Sequence, residues 1–308
     1  EGNQVIRKIH SDYRIPLAVL TGTPQNAEGN IGYLGIYKKG ETGYDELLDS
    51  FFEVFDTGLT KILGGRGLIE QTMNTVFWKN IIPQLEVWKK HVVNGKQTEQ
   101  ALLRFTVNHL LEILDDHSDI FFPEEMYICP PVWDEIRTGG IVKEKVATKY
   151  HIILSPACDL ATHKGNMKTD RILVCLVEDR NMNLIKEAKK KINDTVSEED
   201  DEVITDKKLR NGNVSRDFLN RLVQNNYANY YHYLPPTKQF KGGVINFRKV
   251  STFKPSNFSK NFEKPFIQVS AAFTKDIVAR FSSYYARQGQ PGFDFNVLFE
   301  DLVGEEDG

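Results

Sequence analysis

Tyr150 to Leu160 reads YHIILSPACDL, an apolar run that halts at a small, polar, turn-forming cluster; Ile172 to Val177 then runs apolar again. Strands usually end in Gly, Asn or Asp, so one ending in a thiol beside a carboxylate is a natural place to build a site. Outward from it the texture is that of strands, at Ile141 to Val146, Tyr150 to Leu154, Arg171 to Val177 and Gly243 to Phe253. Helices are predicted over Met182 to Ile192 and over Thr274 to Arg287. Another is predicted from a Ser215 cap, carrying Phe218, Leu219, Leu222 and Val223 and ending at Asn229 to Pro236. Glu198 to Glu202 is a carboxylate run that buries nothing and is expected to form a flexible loop rather than a metal site.

Composition narrows the function classes. The 308 residues suggest about two domains at roughly 150 residues each, and 19 Phe with 12 Tyr suffice for real cores. A formal charge of −3 removes the global electrostatic argument for nucleic-acid binding, which remains open only as a local patch. Three irregularly spaced Cys do not make a disulfide framework, which points to a reducing cytoplasm. No apolar run approaches the ~20 residues of a membrane span, and no signal-like segment opens the chain, so no membrane partner is expected. The first residue is Glu1 rather than Met, which leaves an upstream segment open.

At the N-terminal end, Val5 to Ile9 reads as a helix end, Ile15 to Leu20 and Ile31 to Tyr37 as buried strands, and Tyr44 to Leu59 as a helix. That helix repeats Leu47, Leu48, Phe51, Phe52 and Phe55 at helical spacing. The order resembles the second half of a two-component receiver domain. The resemblance makes Thr21, with Lys38 or Lys39, the hydroxyl and ammonium that would flank a phospho-aspartate. The segment Pro24 to Gly32 is too short for the helix a receiver places there, no Pro follows the lysine, and the phosphorylated Asp would lie upstream of Glu1. The alternative is a turn threonine and solvated lysines. Between residues 64 and 126 the pattern is helical, with Pro83 expected to kink Leu68 to Val93 and Thr98 to cap the next helix. The glycines of Gly64-Gly65-Arg66-Gly67 lack the Lys-Ser/Thr of a phosphate loop and read as a helix C-cap.

Three phrases, LSPACDL at Leu154, YHYLPP at Tyr231 and ARFSSYYARQGQP at Ala279, jointly resemble the C-terminal region of receiver-like proteins of bacterial conflict and anti-phage defence systems. That resemblance implies a partner with a histidine-kinase-type (GHKL) ATPase domain and carries no established reaction. The expected fold class is multidomain α/β and α+β. A partial receiver-like parallel segment (1–63) and a helical connector (64–126) precede a strand-rich α+β module (127–308) with its acidic loop near 193–208. The expected function is regulatory or adaptor work through protein partners. The alternative is a toxin-like nuclease or a cysteine-dependent hydrolase centred on Cys158 and Asp159.

The chemistry at the strand end has three readings. Cys158 could be a nucleophile with His163 or His232 as its base. Cys158, His163 and Cys129 or Cys175 could hold a metal, but no Cys-x-x-Cys spacing supports this, and neither metal nor cofactor is expected. The favoured reading is structural: Cys158 buries as a small hydrophobe, Asp159 caps backbone amides, and His232 is a hydrogen-bonded core residue. On the last long helix Arg280 and Arg287 form a basic stripe beside Phe281 and Tyr284. The two rings are expected to be buried against the strand layer that holds Tyr150 to Leu154, and Arg280 to pair with an acidic side chain of the same domain rather than with nucleic acid.

Overall fold

The computed structural model describes residues 2–29, 31–63, 67–91, 93, 95–115, 121–163, 166–196, 206–287 and 292–304. The chain divides into two compact units, 1–120 and 121–308. The acidic run Glu198 to Glu202, Gly64 to Arg66 and the turn Gln288 to Pro291 lie outside the described residues.

In the first unit, α1 (Gly2–Asp12) precedes β1 (Ala18–Thr21), which pairs in parallel with β2 (Gly35–Lys38). The Pro24 to Gly32 segment, too short for a crossover helix, makes a 3-10 turn at Pro24–Asn26. Then come α2 (Tyr44–Asp56), α3 (Leu59–Leu63) and α4 (Leu68–Val76), for which Gly67 stands at the N-cap. The kink expected at Pro83 is a change of winding. A π-helical stretch at Phe77–Ile81 and a 3-10 turn at Ile82–Gln84 separate α4 from α5 (Leu85–Lys89), because the proline offers no N–H and its ring crowds the preceding turn. The helix α6 (Gly95–Asp115) begins earlier than the Thr98 cap predicts. Thr98 lies inside its first turn, where its hydroxyl donates to the His91 carbonyl at 2.7 Å.

The second unit is built on one antiparallel sheet of seven strands in the order β3-β11-β4-β5-β8-β10-β9. These are β3 (Tyr127–Ile128), β4 (Gly140–Lys143), β5 (Tyr150–Ile153), then β8 (Ile172–Glu178), β9 (Tyr231–Leu234), β10 (Gly243–Phe253) and β11 (Ile267–Val269). The helix α7 (Ala157–Leu160) and the small hairpin β6 (Thr162–His163) and β7 (Asn166–Met167) follow β5. The helices α8 (Asn183–Val196), α9 (Asp206–Val223), α10 (Pro255–Asn261), α11 (Ala271–Ala286) and α12 (Phe295–Gly304) complete it. Two predicted features shift. Ser215 is buried in the middle of α9 rather than capping it, and Tyr231 to Leu234, expected to end a helix, is an edge strand.

Period-two alternation explains why β5 and β8 are apolar nearly throughout. Ile141, Ile152, Cys175, Val177, Ile245 and Phe247 join one cluster, while their neighbours Val142, Ile153 and Val174 join a second. The sheet is therefore covered on both faces, and a strand covered on both faces cannot alternate apolar with polar. Ile277 of α11, with half-buried Phe281 and Tyr284, closes the first cluster; Phe258 of α10 and Phe262 belong to the second. Ile185 of α8 and Leu222 of α9 enclose a third with Tyr231 and Val244. Each fully buried Ile or Val side chain contributes roughly 1.5–3 kcal/mol.

The β8–β10 pairing is irregular at one place. Along the β8–β10 pair, Ile245 faces Val177 but Val250 faces Cys175, so Asn246 to Lys249 stand against Leu176 alone. This bulge is tied on every side. The buried Asn246 donates to Glu178 at 3.1 Å and accepts from the Arg248 amide at 3.1 Å, the Phe247 carbonyl accepts from the Tyr285 phenol at 2.7 Å, and Lys249 pairs with Glu178.

Candidate functional site

The end of β5 is fixed by Ser155, whose side chain is buried. Its hydroxyl oxygen accepts from the Leu173 amide at 2.7 Å, and its carbonyl accepts from the Thr138 hydroxyl. The chain then turns through Pro156 into α7, where Asp159 N donates to Pro156 O at 3.0 Å. This places Cys158 on the outside of the corner. Cys158 is exposed, so its expected burial as a small hydrophobe is overturned. Asp159 is half-buried and accepts from the Cys158 thiol at 3.6 Å; its side chain caps no backbone amide among the described residues. The strand register accounts for both. Burial is continuous from His151 to Ser155, and the turn that follows lifts Pro156 to Cys158 off the sheet.

Beside this corner lies a cleft of about 770 Å3, within the size range of ligand sites. Its walls include Trp133 and Arg137 from the loop before β4, Leu160 and Thr162 after β5, and Thr274 and Lys275 from the first turn of α11. Arg137 stacks over Trp133 at 4.7 Å and pairs with Glu135 at 3.2 Å. The floor is rigid: Gln268 Nε2 donates to the Thr138 and Val269 carbonyls at 2.8 and 3.0 Å, and Thr274 Oγ1 donates to Val269 O at 2.9 Å. Gly139, at φ +84°, sits so close to Thr274 Oγ1 that no side chain would fit. The cleft joins an apolar wall to two cations, but no catalytic pair faces it among the described residues.

The other sequence candidates are dispersed. The side chain of His163 lies outside the described residues. His232 is buried in β9; its ring nitrogen Nδ1 makes no hydrogen bond, which corrects the expected hydrogen-bonded core residue. Burial first, and the neighbouring Arg280 charge second, push its pKa from 6.5 down to about 3. Asp276 stands 3.8 Å away and would favour the charged ring, but it is largely exposed and water screens it, so His232 stays neutral. Arg280 pairs with no acidic side chain among the described residues. Its guanidinium donates instead to the Asn225 and Tyr231 carbonyls, at 2.7 and 3.3 Å. Phe281 and Tyr284 pack, half-buried, against the cluster on the sheet that holds Ile152 and Leu154, and meet Phe247 of β10 at 5.6 and 6.5 Å between ring centroids. Cys175 lies in the core and donates to Asn246 O at 2.9 Å, and burial raises its thiol pKa to about 12. Cys129 is exposed on the far side of β11, its thiol 3.7 Å from Phe266 O. No group of three His, Cys, Asp or Glu among the described residues could hold a metal ion, and no described helix is long and apolar enough to cross a membrane.

In the first unit, Thr21 and Lys38 are register partners at the same end of the parallel pair, and Lys39 N donates to Thr21 O at 2.9 Å. The carboxylate beside Lys38 is Glu41 of the following turn, and Thr21 Oγ1 accepts from the Thr23 amide at 3.3 Å. What sequence reasoning missed is the outer side of α2. Tyr44, Leu48, Phe52 and Phe55, at successive turns, are each half exposed or more, while Leu47, Phe51 and Val54 face inward. The signal was present, since both sets are apolar and a surface helix needs only one apolar stripe. Compared with protein-family models, curated proteins and solved structures, the chain matches none.

Proposed function

We infer that this chain is a regulatory or adaptor protein of a bacterial defence or signalling system that works through protein partners in the cytoplasm. Residues 1–63 are a receiver-like remnant, and the chain's partner carries a histidine-kinase-type (GHKL) ATPase domain. The observation that carries the reading is the outer stripe of α2, Tyr44, Leu48, Phe52 and Phe55, an apolar surface on a helix whose other side is already used. Contiguous exposed apolar surface of this kind is characteristic of interaction sites. The register pairing of Thr21 with Lys38 supports the receiver-like half of the reading, since it brings a threonine and a lysine to the same end of the parallel pair.

The test is co-expression with the GHKL-type ATPase from the same host and measurement of the complex by co-elution and titration. Leu48→Asp with Phe52→Asp should weaken the complex by at least about 100-fold, as the loss of two buried apolar anchors predicts, with the circular dichroism of the second unit unchanged. Co-elution indifferent to both substitutions would sink the reading. The hydrolase alternative keeps one point in its favour, the exposed thiol of Cys158 beside a cleft. Hydrolytic or nuclease activity abolished by Cys158→Ala would establish it.

A further inference from the structure

A second cavity, of about 340 Å3, is lined by Asn229 before β9 and by Arg280, Ser283, Tyr284 and Arg287 at the end of α11. The spacing i, i+3, i+4, i+7 puts these last four on one side of the helix. Every polar side chain there can donate: two guanidiniums, a hydroxyl, a phenol and an amide. No described carboxylate lies within ion-pairing distance of Arg280 or Arg287. Asp276, the acid one turn earlier on the same helix, sits beside His232 instead, and that ring is neutral and adds no charge.

The arginines are held in place before any ligand arrives. Arg280 Nη2 is anchored on the Asn225 and Tyr231 carbonyls, which leaves its Nε buried without a partner. Arg287 stacks on the Tyr284 ring at 4.7 Å and donates to the Tyr284 carbonyl at 3.3 Å. The bulge in β10 adds a third guanidinium nearby. It turns Arg248 out over the face of Tyr230 at 3.7 Å, and Tyr230 meets Tyr284 edge-on at 6.2 Å. Bulges are a common means of re-aiming one side chain toward a site. In a chain whose net charge is −3, Arg280 and Arg287, with no ion-pair partner among the described residues, and Arg248 near them form a local field that an anion would neutralise.

We propose that this cavity binds a phosphate monoester, as free phosphate, as the phosphoryl end of a nucleotide, or as the 5′ end of a nucleic-acid strand. A monoester offers three acceptor oxygens and close to two negative charges, which suits planar guanidinium donors better than a carboxylate does. The volume admits a phosphoryl group with its sugar, and Tyr284 lines the cavity as an aromatic wall for what the phosphoryl group carries.

The experiment is calorimetric titration of the full chain, at matched ionic strength, with inorganic phosphate, adenosine monophosphate, and one short single-stranded oligonucleotide prepared with and without a 5′-phosphate. Binding is expected to require the monoester, and whichever arm binds most tightly identifies the source. Arg287→Ala should weaken it by roughly tenfold or more, in line with the loss of one charge-assisted pair. Ser283→Ala should weaken it by a few-fold, with the melting temperature of each variant unchanged. Arg280 is left intact because it also anchors backbone. Absence of binding in every arm, equal binding of the 5′-hydroxyl oligonucleotide, or indifference to Arg287→Ala would each overturn the proposal.

Discussion

The two units of this chain bury their apolar residues to very different extents. Among the described residues of the first, Val76 is the one apolar side chain removed from water; the second contains three apolar clusters on a sheet covered on both faces. The contrast lies in topology rather than composition, since α2 is as rich in Phe and Leu as β8 is in Ile and Val. Seven paired strands give each apolar residue a neighbour on both sides. Two parallel strands bury none of theirs fully and leave Ile36 exposed, so a further surface is needed to cover them.

The comparison can be sharpened by substitution. The largest effect is expected for Phe247→Ala, which empties the centre of the second unit and should cost about 3–5 kcal/mol in a denaturant melt. A loss below about 1 kcal/mol, within the usual range for a tolerated site, would mean that this core is not close-packed.

Acid comes next. The pKa of His232 is depressed in the fold to about 3 against 6.5 when unfolded, so the unfolded chain takes up the proton first. Its contribution is complete above pH 6.5 and is lost as pH falls toward 3, at about 1.4 kcal/mol per pH unit in the steep part. His151, also lowered by burial, acts in the same direction. Replacing His232 with Gln should flatten the slope of stability between pH 6 and 4; an unchanged slope would assign the acid sensitivity elsewhere.

Arg280→Ala is expected to be intermediate. It strands two backbone carbonyls rather than a buried carboxylate, so the cost should be near 1.5–3 kcal/mol, the range for hydrogen bonds to a charged group. A thermal melt that does not move would place the guanidinium in solvent. The smallest effect belongs to Cys158→Ser, which should stay within about 0.5 kcal/mol because the thiol is exposed. A large drop would return Cys158 to the interior.

Much of the second unit was legible in the sequence. Tyr150 to Ile153 and Ile172 to Val177 stand where their apolar runs place them, because strands covered on both faces advertise themselves without alternation. The strands β3 and β11 were not legible, since two or three residues are too few to show any period. Tyr231 to Leu234 was misread because the two prolines after it signal an ending without saying of what. At the candidate site the thiol and the carboxylate were visible, but their exposure depends on the turn after Ser155. The cleft draws Trp133, Leu160 and Lys275 from segments that only the sheet order brings together.

The bulge in β10 also separates the hold on its backbone from the hold on its side chain. The peptide plane between Phe247 and Arg248 is clamped at both poles, its carbonyl by the Tyr285 phenol and its N–H by Asn246, while its two side chains point respectively into the core and over Tyr230. Arg248 has enough rotatable bonds to leave the ring while that plane stays fixed. The clamp therefore sets only the point from which the side chain departs, so Tyr285→Phe, which removes the bond to the Phe247 carbonyl and keeps the ring, loosens the backbone without touching the contact between guanidinium and Tyr230.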